Sequence, residues 1–119
     1  MVFDDIVKAL TESGCKVTQD WYEVYERPGR PAFAKELLYS CNEFWGKVHV
    51  RKEGDIYVQV ISKDVFNWKD RVAELRLSNH IEDAAGGLMW LYVTNQEKLK
   101  EDLQFLSIYI QGLKRGKKS

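Results

Sequence analysis

The strongest constraint on this chain is a pair of alternating segments, residues 47–51 and 55–60, joined by a short polar stretch. Strict alternation is typical of antiparallel strands with one buried face. A two-residue loop at Glu53-Gly54 would mix polar and apolar side chains on both faces. A three-residue loop, 52–54, with Gly54 in the left-handed region, keeps one face apolar. The predicted register pairs Val50 with Ile56, Val48 with Val58, Arg51 with Asp55, His49 with Tyr57, and Lys47 with Gln59.

Helical periodicity marks both ends of the chain. Phe3, Ile6, Val7 and Leu10 form one stripe, and Gly14 is suited to the turn after a helix. Near the other end, Thr94 and Glu97 have the spacing of a capping box. The helix that follows carries an apolar stripe that we expect to be wider than one sheet face can cover: Leu99, Leu103, Leu106, Ile110 and Leu113, widened by Phe105, Ile108 and Tyr109.

Two further segments are predicted to be strands. Residues 16–26 are rich in aromatic and β-branched side chains, but neither face is cleanly apolar, which favours an edge position. Residues 27–31 contain Pro-Gly and predict a turn. Residues 88–93 form a continuous apolar run, which favours a central strand that is buried on both faces.

Three stretches are less regular. Residues 32–45 favour a helix that starts at Pro31 and ends at Gly46, although alternation over the same residues also permits a strand. Residues 65–77 have helical spacing, with Asn67 as a possible cap. Residues 78–87 are polar and then Gly-rich, which predicts a loop that could serve as a lid or binding loop.

These elements predict an α+β fold with a small antiparallel sheet of about four to five strands, packed against N- and C-terminal helices. We expect the helices to form a single layer on one face of the sheet. A length of 119 residues suits one domain, taken as residues 1–113. Residues 114–119 are predicted to be a basic flexible tail. The order of elements resembles that of small α+β folds used as chaperones and adaptors, which is an analogy of fold, and a fold does not specify a function.

The balance of charge argues against a dedicated nucleic-acid binder. The chain has 18 basic and 18 acidic side chains, yet four of the basic ones lie in residues 114–118 and no acid follows Asp102. Residues 1–113 therefore have a formal charge of −4, whereas a nucleic-acid-binding domain is usually basic. The tail alone could attract phosphates or an anionic membrane.

The cysteines and the first residues of the chain predict a cytoplasmic protein. Cys15 and Cys41 are far apart in sequence and are expected to be reduced thiols. Residues 1–5 show neither the basic nor the apolar segment of a secretory signal. The longest apolar run, Leu88–Val93, is too short to span a bilayer.

No catalytic or cofactor-binding motif is recognisable, so we predict no cofactor, no metal and no enzymatic activity. Cys15, Cys41, His49 and His80 lack the paired spacing of a zinc site. The helix favoured for residues 32–45 has an apolar stripe made of Phe33, Leu37, Leu38, Cys41 and Trp45. Cys41 is therefore expected to be a buried inert thiol, not a nucleophile. Gly86-Gly87 leads into a strand, whereas a phosphate-binding loop leads into a helix.

A small metal-dependent nuclease is one alternative. Such enzymes place an acid on one strand and an acid-x-Lys pair on another to hold Mg²⁺. Asp55 and Glu74, with Glu12, could supply the acids, but Arg76 stands where the Lys is expected.

The favoured function is a non-enzymatic protein-binding or adaptor module that acts as a homodimer. Its aromatic side chains are more numerous than a small core requires, and aromatic residues dominate interfaces. The partner-binding candidates are Trp21, Tyr25, Trp68, Phe105 and Tyr109. The other alternative is nucleic-acid binding by the basic tail and the solvated face of the hairpin, whose candidates are Lys47, His49, Arg51 and Tyr57.

Overall fold

The computed structural model describes residues 3–25 and 34–116, which form an α+β fold. The described strands form one antiparallel sheet in the order β1-β2-β3-β4-β6-β5, so there are six strands and not the predicted four to five. The elements are α1 (Phe3–Glu12), β1 (Lys16–Val24), β2 (Ala34–Ser40), β3 (Trp45–Arg51), β4 (Ile56–Ile61), a 3₁₀ helix (Trp68–Glu74), β5 (His80–Ala85), β6 (Leu88–Val93) and α2 (Gln96–Gly116).

The predicted hairpin register is confirmed. Val50 pairs with Ile56, Val48 with Val58, and His49 with Tyr57. Gly54 has a φ of 100°, a conformation that L side chains rarely adopt, as the three-residue loop requires. This register places every second residue of β3 and β4 in the core and the residues between them on the opposite face.

The helix favoured for residues 32–45 is wrong, because residues 34–40 form strand β2 between β1 and β3. Leu37 pairs with Val48 and Tyr39 with Gly46, so the apolar residues of β2 enter the core by alternation. Gly46 does not end a helix. A Cβ atom there would lie 2.1 Å from the Gln59 carbonyl oxygen, so the close approach of β4 requires glycine. The predicted turn at 27–31 lies outside the described residues.

The loop predicted for residues 78–87 is also wrong, because His80–Ala85 forms an edge strand. The buried carboxylate of Asp102 accepts hydrogen bonds from the backbone N–H groups of Ser78, at 2.6 Å, and Asn79, at 2.9 Å. These bonds fasten the entry of β5 to α2. Strand β6 therefore lies next to the edge and not at the centre, and only one of its faces is fully buried.

The stripe of α2 is confirmed, since Leu99, Leu103, Leu106 and Ile110 are completely buried. The helix begins one residue later than predicted. Asn95, not Thr94, caps it, because the Asn95 Oδ1 accepts from the backbone N–H groups of Glu97 and Lys98. The helix continues to Gly116, so the first three residues of the predicted tail are helical, and the rest of it lies outside the described residues.

The cap of the 3₁₀ helix, the position of β1 in the sheet and the turn after α1 agree with the predictions from the sequence. Asn67 caps the 3₁₀ helix by accepting from the Lys69 backbone N–H, as its predicted role requires. Strand β1 lies at the edge of the sheet, where the mixed polarity of its two faces placed it. Gly14 has a φ of 84° directly after α1.

The reduced thiols predicted for Cys15 and Cys41 are wrong, because the two residues form a disulfide. The bond joins the residue before β1 to the residue after β2, so it connects the edge strand to its neighbour. The alternation of polar and apolar residues is weakest in this edge strand. Cysteine spacing could not show this pairing, since it depends on the register between the two strands. The predicted cytoplasmic location loses the support of reduced thiols and stays a prediction.

The core combines side chains of α1 and α2 with alternate residues of the sheet, among them Ile6, Leu10, Val58, Leu91 and Leu103. The other residues of β3, β4 and β6 are half-buried, except for the exposed Trp45 and Arg51. They belong to the other face of the sheet, which we call the polar face. None of the helices within the described ranges is long and apolar enough to cross a membrane.

The disulfide gives a stability prediction. Closing a loop between residues 26 apart in sequence restricts the unfolded chain, and loop-closure entropy assigns this about 3–4 kcal/mol. We expect reductant to lower the free energy of unfolding in urea by that amount. A Cys15→Ser/Cys41→Ser variant should match the reduced protein and not respond to reductant. Equal unfolding midpoints with and without reductant would contradict the bond.

Candidate binding face of the sheet

The four residues predicted to bind nucleic acid lie together on the polar face. Lys47, His49 and Arg51 alternate along β3, and Tyr57 lies opposite His49 on β4. They line a depression of about 350 Å³, within the range of ligand sites in proteins. Its other lining residues, which sequence reasoning did not select, are Glu36, Glu82, Asp83 and Trp90. We call this the aromatic depression.

The carboxylate of Glu36 is at the centre of the contacts on this face. Glu36 is only 6% exposed and lies on β2, opposite His49. Its Oε2 atom is 2.8 Å from the His49 Nδ1 and 3.3 Å from the Lys47 Nζ. The Tyr22 hydroxyl of β1 donates to Oε1 at 3.1 Å. One carboxylate therefore links three neighbouring strands.

These contacts set the ionisation of Glu36. Burial alone would raise its pKa, but the hydrogen bond with His49 and the charge of Lys47 outweigh burial, so the pKa lies below its ordinary value of 4.5. Burial and the hydrogen bond to this carboxylate raise the pKa of Tyr22. Glu36 is therefore an anion at neutral pH, and its charge is compensated from within the protein.

The basic side chains of the aromatic depression also lie over its rings. The Lys47 Nζ is 5.8 Å from the centre of the Trp90 ring, and the Arg51 guanidinium is 5.7 Å from the centre of the Tyr57 ring. Both distances are within the range of cation–π attraction. Tyr57 is also packed edge-on against Tyr92, whose hydroxyl donates to Asp55. This bond raises the pKa of Tyr92.

The charges around Lys47 and Arg51 make the aromatic depression less suitable for nucleic acid than the sequence suggested. Lys47 is paired with Glu36, while Glu82 and Asp83 add negative charge to the same lining. With His49 neutral, this lining carries one more acid than base. A surface that binds phosphates requires the opposite balance.

A second depression of about 350 Å³ adjoins the first and is mainly apolar. Trp45, which is 42% exposed, and the half-buried side chains of Leu38 and Ile61 contribute to it. Gln59 also lines it and pairs across the ladder with Trp90 of the aromatic depression, so the two depressions are adjacent. We call it the apolar depression. Sequence reasoning missed it because Trp45 was assigned to a helical stripe.

The five predicted partner-binding residues are not gathered into one patch. Trp68 is completely buried in the core and so presents no surface to a partner. Trp21 packs against Phe3 of α1, and Tyr25 is 51% exposed after β1.

Phe105 and Tyr109 form the flank of α2. Their rings stack on each other, and the Tyr109 hydroxyl donates to Glu74 at the end of the 3₁₀ helix. Burial and this hydrogen bond raise the pKa of Tyr109 to about 12. Both residues also pack against the core. The domain itself therefore covers most of the additional apolar surface that was expected on α2.

The nuclease alternative gains no support from the geometry. Across residues 3–25 and 34–116, no group of three or more His, Cys, Asp or Glu side chains is placed to hold a metal ion. Asp55 contacts Tyr92, and Glu74 contacts Arg71 and Tyr109, so each of these acids has a local role.

No protein-family model matches this chain, and no solved structure is significantly similar to it. The polar face must therefore be interpreted from its own residues.

Glu36 gives a prediction about pH. Its lowered pKa means that the folded state favours the carboxylate, so its contribution is complete above pH 4.5 and is lost as the pH falls through the lowered value. We expect Glu36→Gln to lower the free energy of unfolding by about 1–3 kcal/mol at pH 7. The difference from the unmodified protein should shrink below pH 4.5.

Glu23→Gln is the matched control, since Glu23 is an exposed acid on β1 whose carboxylate accepts only from Tyr25 among the bonds described. Urea unfolding across the pH range measures all three proteins. A Glu36→Gln effect equal to that of Glu23→Gln, or one that grows in acid, would show that Glu36 does not organise this face.

Proposed function

We propose that this chain is a non-enzymatic protein-binding module of the adaptor or chaperone type, and that a polypeptide partner binds on the polar face. The supporting observation is the pair of adjoining depressions, one aromatic and one apolar, on strands whose other face is fully buried. We take α1 and α2 to form a single layer over that buried face, which leaves the polar face to a partner.

The edges of the sheet are less suitable than its face. Strand β1 carries register shifts between Val17 and Gln19 and between Gln19 and Tyr22, and β5 carries one between Ile81 and Asp83. Bulges of this kind twist an edge and interrupt its ladder, which disfavours the addition of another strand. A partner is therefore expected to contact side chains of the face and not to extend the sheet.

The apolar depression has the character of an anchor site. Large aromatic side chains in shallow apolar pockets contribute most of the binding energy in many interfaces. Trp45 is the most exposed tryptophan among the described residues, and it lies beside Leu38, Ile61 and the glycine backbone at 46. A solvated sheet face gains nothing from exposing this much apolar surface.

Binding of nucleic acid to the same face is the competing outcome. Its support is that Lys47, His49, Arg51 and Tyr57 converge on one depression. The acids of the same lining, Glu36, Glu82 and Asp83, oppose nucleic-acid binding, because their negative charges would lie close to the phosphate backbone.

The dimer belongs to the proposal as its oligomeric part. Outside the polar face, Ile108 of α2 is 70% exposed, and a symmetric contact between two copies of α2 would cover it. We expect the unmodified protein to have twice the monomer mass of 13.9 kDa in sedimentation equilibrium, and Ile108→Glu to be monomeric. Monomer mass for the unmodified protein at high micromolar concentration would refute the dimer.

Selection from a library of random 12-residue peptides tests the binding proposal. We expect enriched peptides to bind the immobilised protein and to lose about 2 kcal/mol or more of binding energy on Trp45→Ser, because an interface anchor is removed. Binding is measured by calorimetry with synthetic copies of the peptides.

Phe66→Ser is the matched control, since Phe66 is an exposed aromatic residue that lines neither depression. The proposal fails if no peptide is enriched, or if Phe66→Ser abolishes binding while Trp45→Ser does not. Binding of a labelled oligonucleotide that weakens steeply with salt, in the absence of peptide binding, would favour the nucleic-acid function.

A further inference from the structure

We infer that the partner presents a basic side chain, arginine or lysine, to the aromatic depression at Trp90. This inference rests on the proposed binding of a polypeptide to the polar face. It names the chemistry of the partner, which the proposed function leaves open.

The first support is uncompensated negative charge beside an aromatic ring. Asp83 of β5 lies directly opposite Trp90 of β6, and Glu82 lines the same depression. Asp83 has no ion-pair partner within the described part of the chain, and the only ion pair of Glu82 there is a long one of 3.8 Å to His80. Both acids are exposed, so their charge is available to an incoming cation.

The second support is that the protein already places its own cations on these rings. Lys47 reaches Trp90 from the β3 side of the sheet and is held there by Glu36. Glu82 and Asp83 belong to β5, on the opposite side of Trp90, because β6 lies between β4 and β5. An incoming cation can therefore approach Trp90 from the acidic side without displacing Lys47, and an aromatic ring next to carboxylates is a favourable site for it.

The third support is the position of the apolar depression. Trp45 on β3 and Trp90 on β6 are separated by β4, which corresponds to about 10 Å across the sheet at the usual spacing between strands. Trp45 pairs with Ile61 and Ile61 with Leu88, so Trp90 is also offset by two residues along the strands, and the separation is about 12 Å. An extended segment covers this distance in about four residues, a spacing that also places both side chains on the same side of the segment. The face therefore fits a segment that has an apolar side chain for the apolar depression and a basic one four residues away for the aromatic depression.

The test uses a defined probe, the acetylated and amidated pentapeptide Leu-Gly-Gly-Gly-Arg, titrated into the ¹⁵N-labelled full chain. We expect the indole N–H resonance of Trp90 to shift and saturate with the arginine probe. The same peptide with citrulline, which keeps the shape of arginine but not its charge, should bind about tenfold more weakly, and the glutamate peptide should not bind.

Variants locate the site. Glu82→Gln/Asp83→Asn should weaken binding of the arginine probe about tenfold and should abolish the difference between arginine and citrulline. Glu53→Gln/Glu97→Gln removes the same number of charges from exposed acids that line neither depression, and it should bind as the unmodified protein does. Equal loss in the two double variants would reduce the effect to net charge and overturn the inference.

The inference also fails if the Trp90 resonance does not respond or if citrulline binds as well as arginine. Its failure is distinct from that of the proposed function. If library peptides require Trp45 but bind equally well with citrulline in place of arginine, the binding function is supported and the basic partner is refuted. If the arginine probe binds saturably but no library peptide is enriched, the cation site is supported and the polypeptide-binding function is refuted.

Discussion

The polar face of the sheet depends on one buried carboxylate. Glu36 is drawn into the sheet by Tyr22, Lys47 and His49, and this arrangement holds the side chains of β1, β2 and β3 in fixed positions. Lys47 is held by Glu36 and lies over the Trp90 ring, with its side chain 33% exposed. Among the residues that the structure describes, Glu82 and Asp83 of β5 form no ion pair with a lysine. The charge of Glu36 is thus compensated within the sheet, and Glu82 and Asp83 make the β5 side of the aromatic depression negative.

The elements that the sequence predicted correctly are those fixed by local rules. The β3–β4 hairpin follows from alternation and from the one glycine whose position suits a three-residue loop. The stripe of α2 follows from helical spacing, and its cap was displaced by one residue because Thr94 and Asn95 are both good cap residues. In each case the residues that make the structure lie within a few positions of one another.

The errors arise where a distant segment decides the structure. Residues 34–40 satisfy both helical and strand patterns, and only pairing with β1 and β3 selects the strand. Residues 80–85 are polar because they form an edge, and Asp102, about twenty residues away, holds their entry. The disulfide and the Glu36 cluster depend on the register of β2 for the same reason. The four hairpin residues were found together, but Glu36 and Trp90 carry no local signal.

The proposed function requires a partner to cover the polar face in the cell. Oxidative footprinting of Trp45 and Trp90, in native cells and in the purified protein, measures this directly, with the 81% exposed Phe66 as the internal reference. We expect that oxidation of both tryptophans, relative to Phe66, falls several-fold in cells. Equal relative oxidation in both settings would contradict it, because the face would then be in contact with solvent and with no partner.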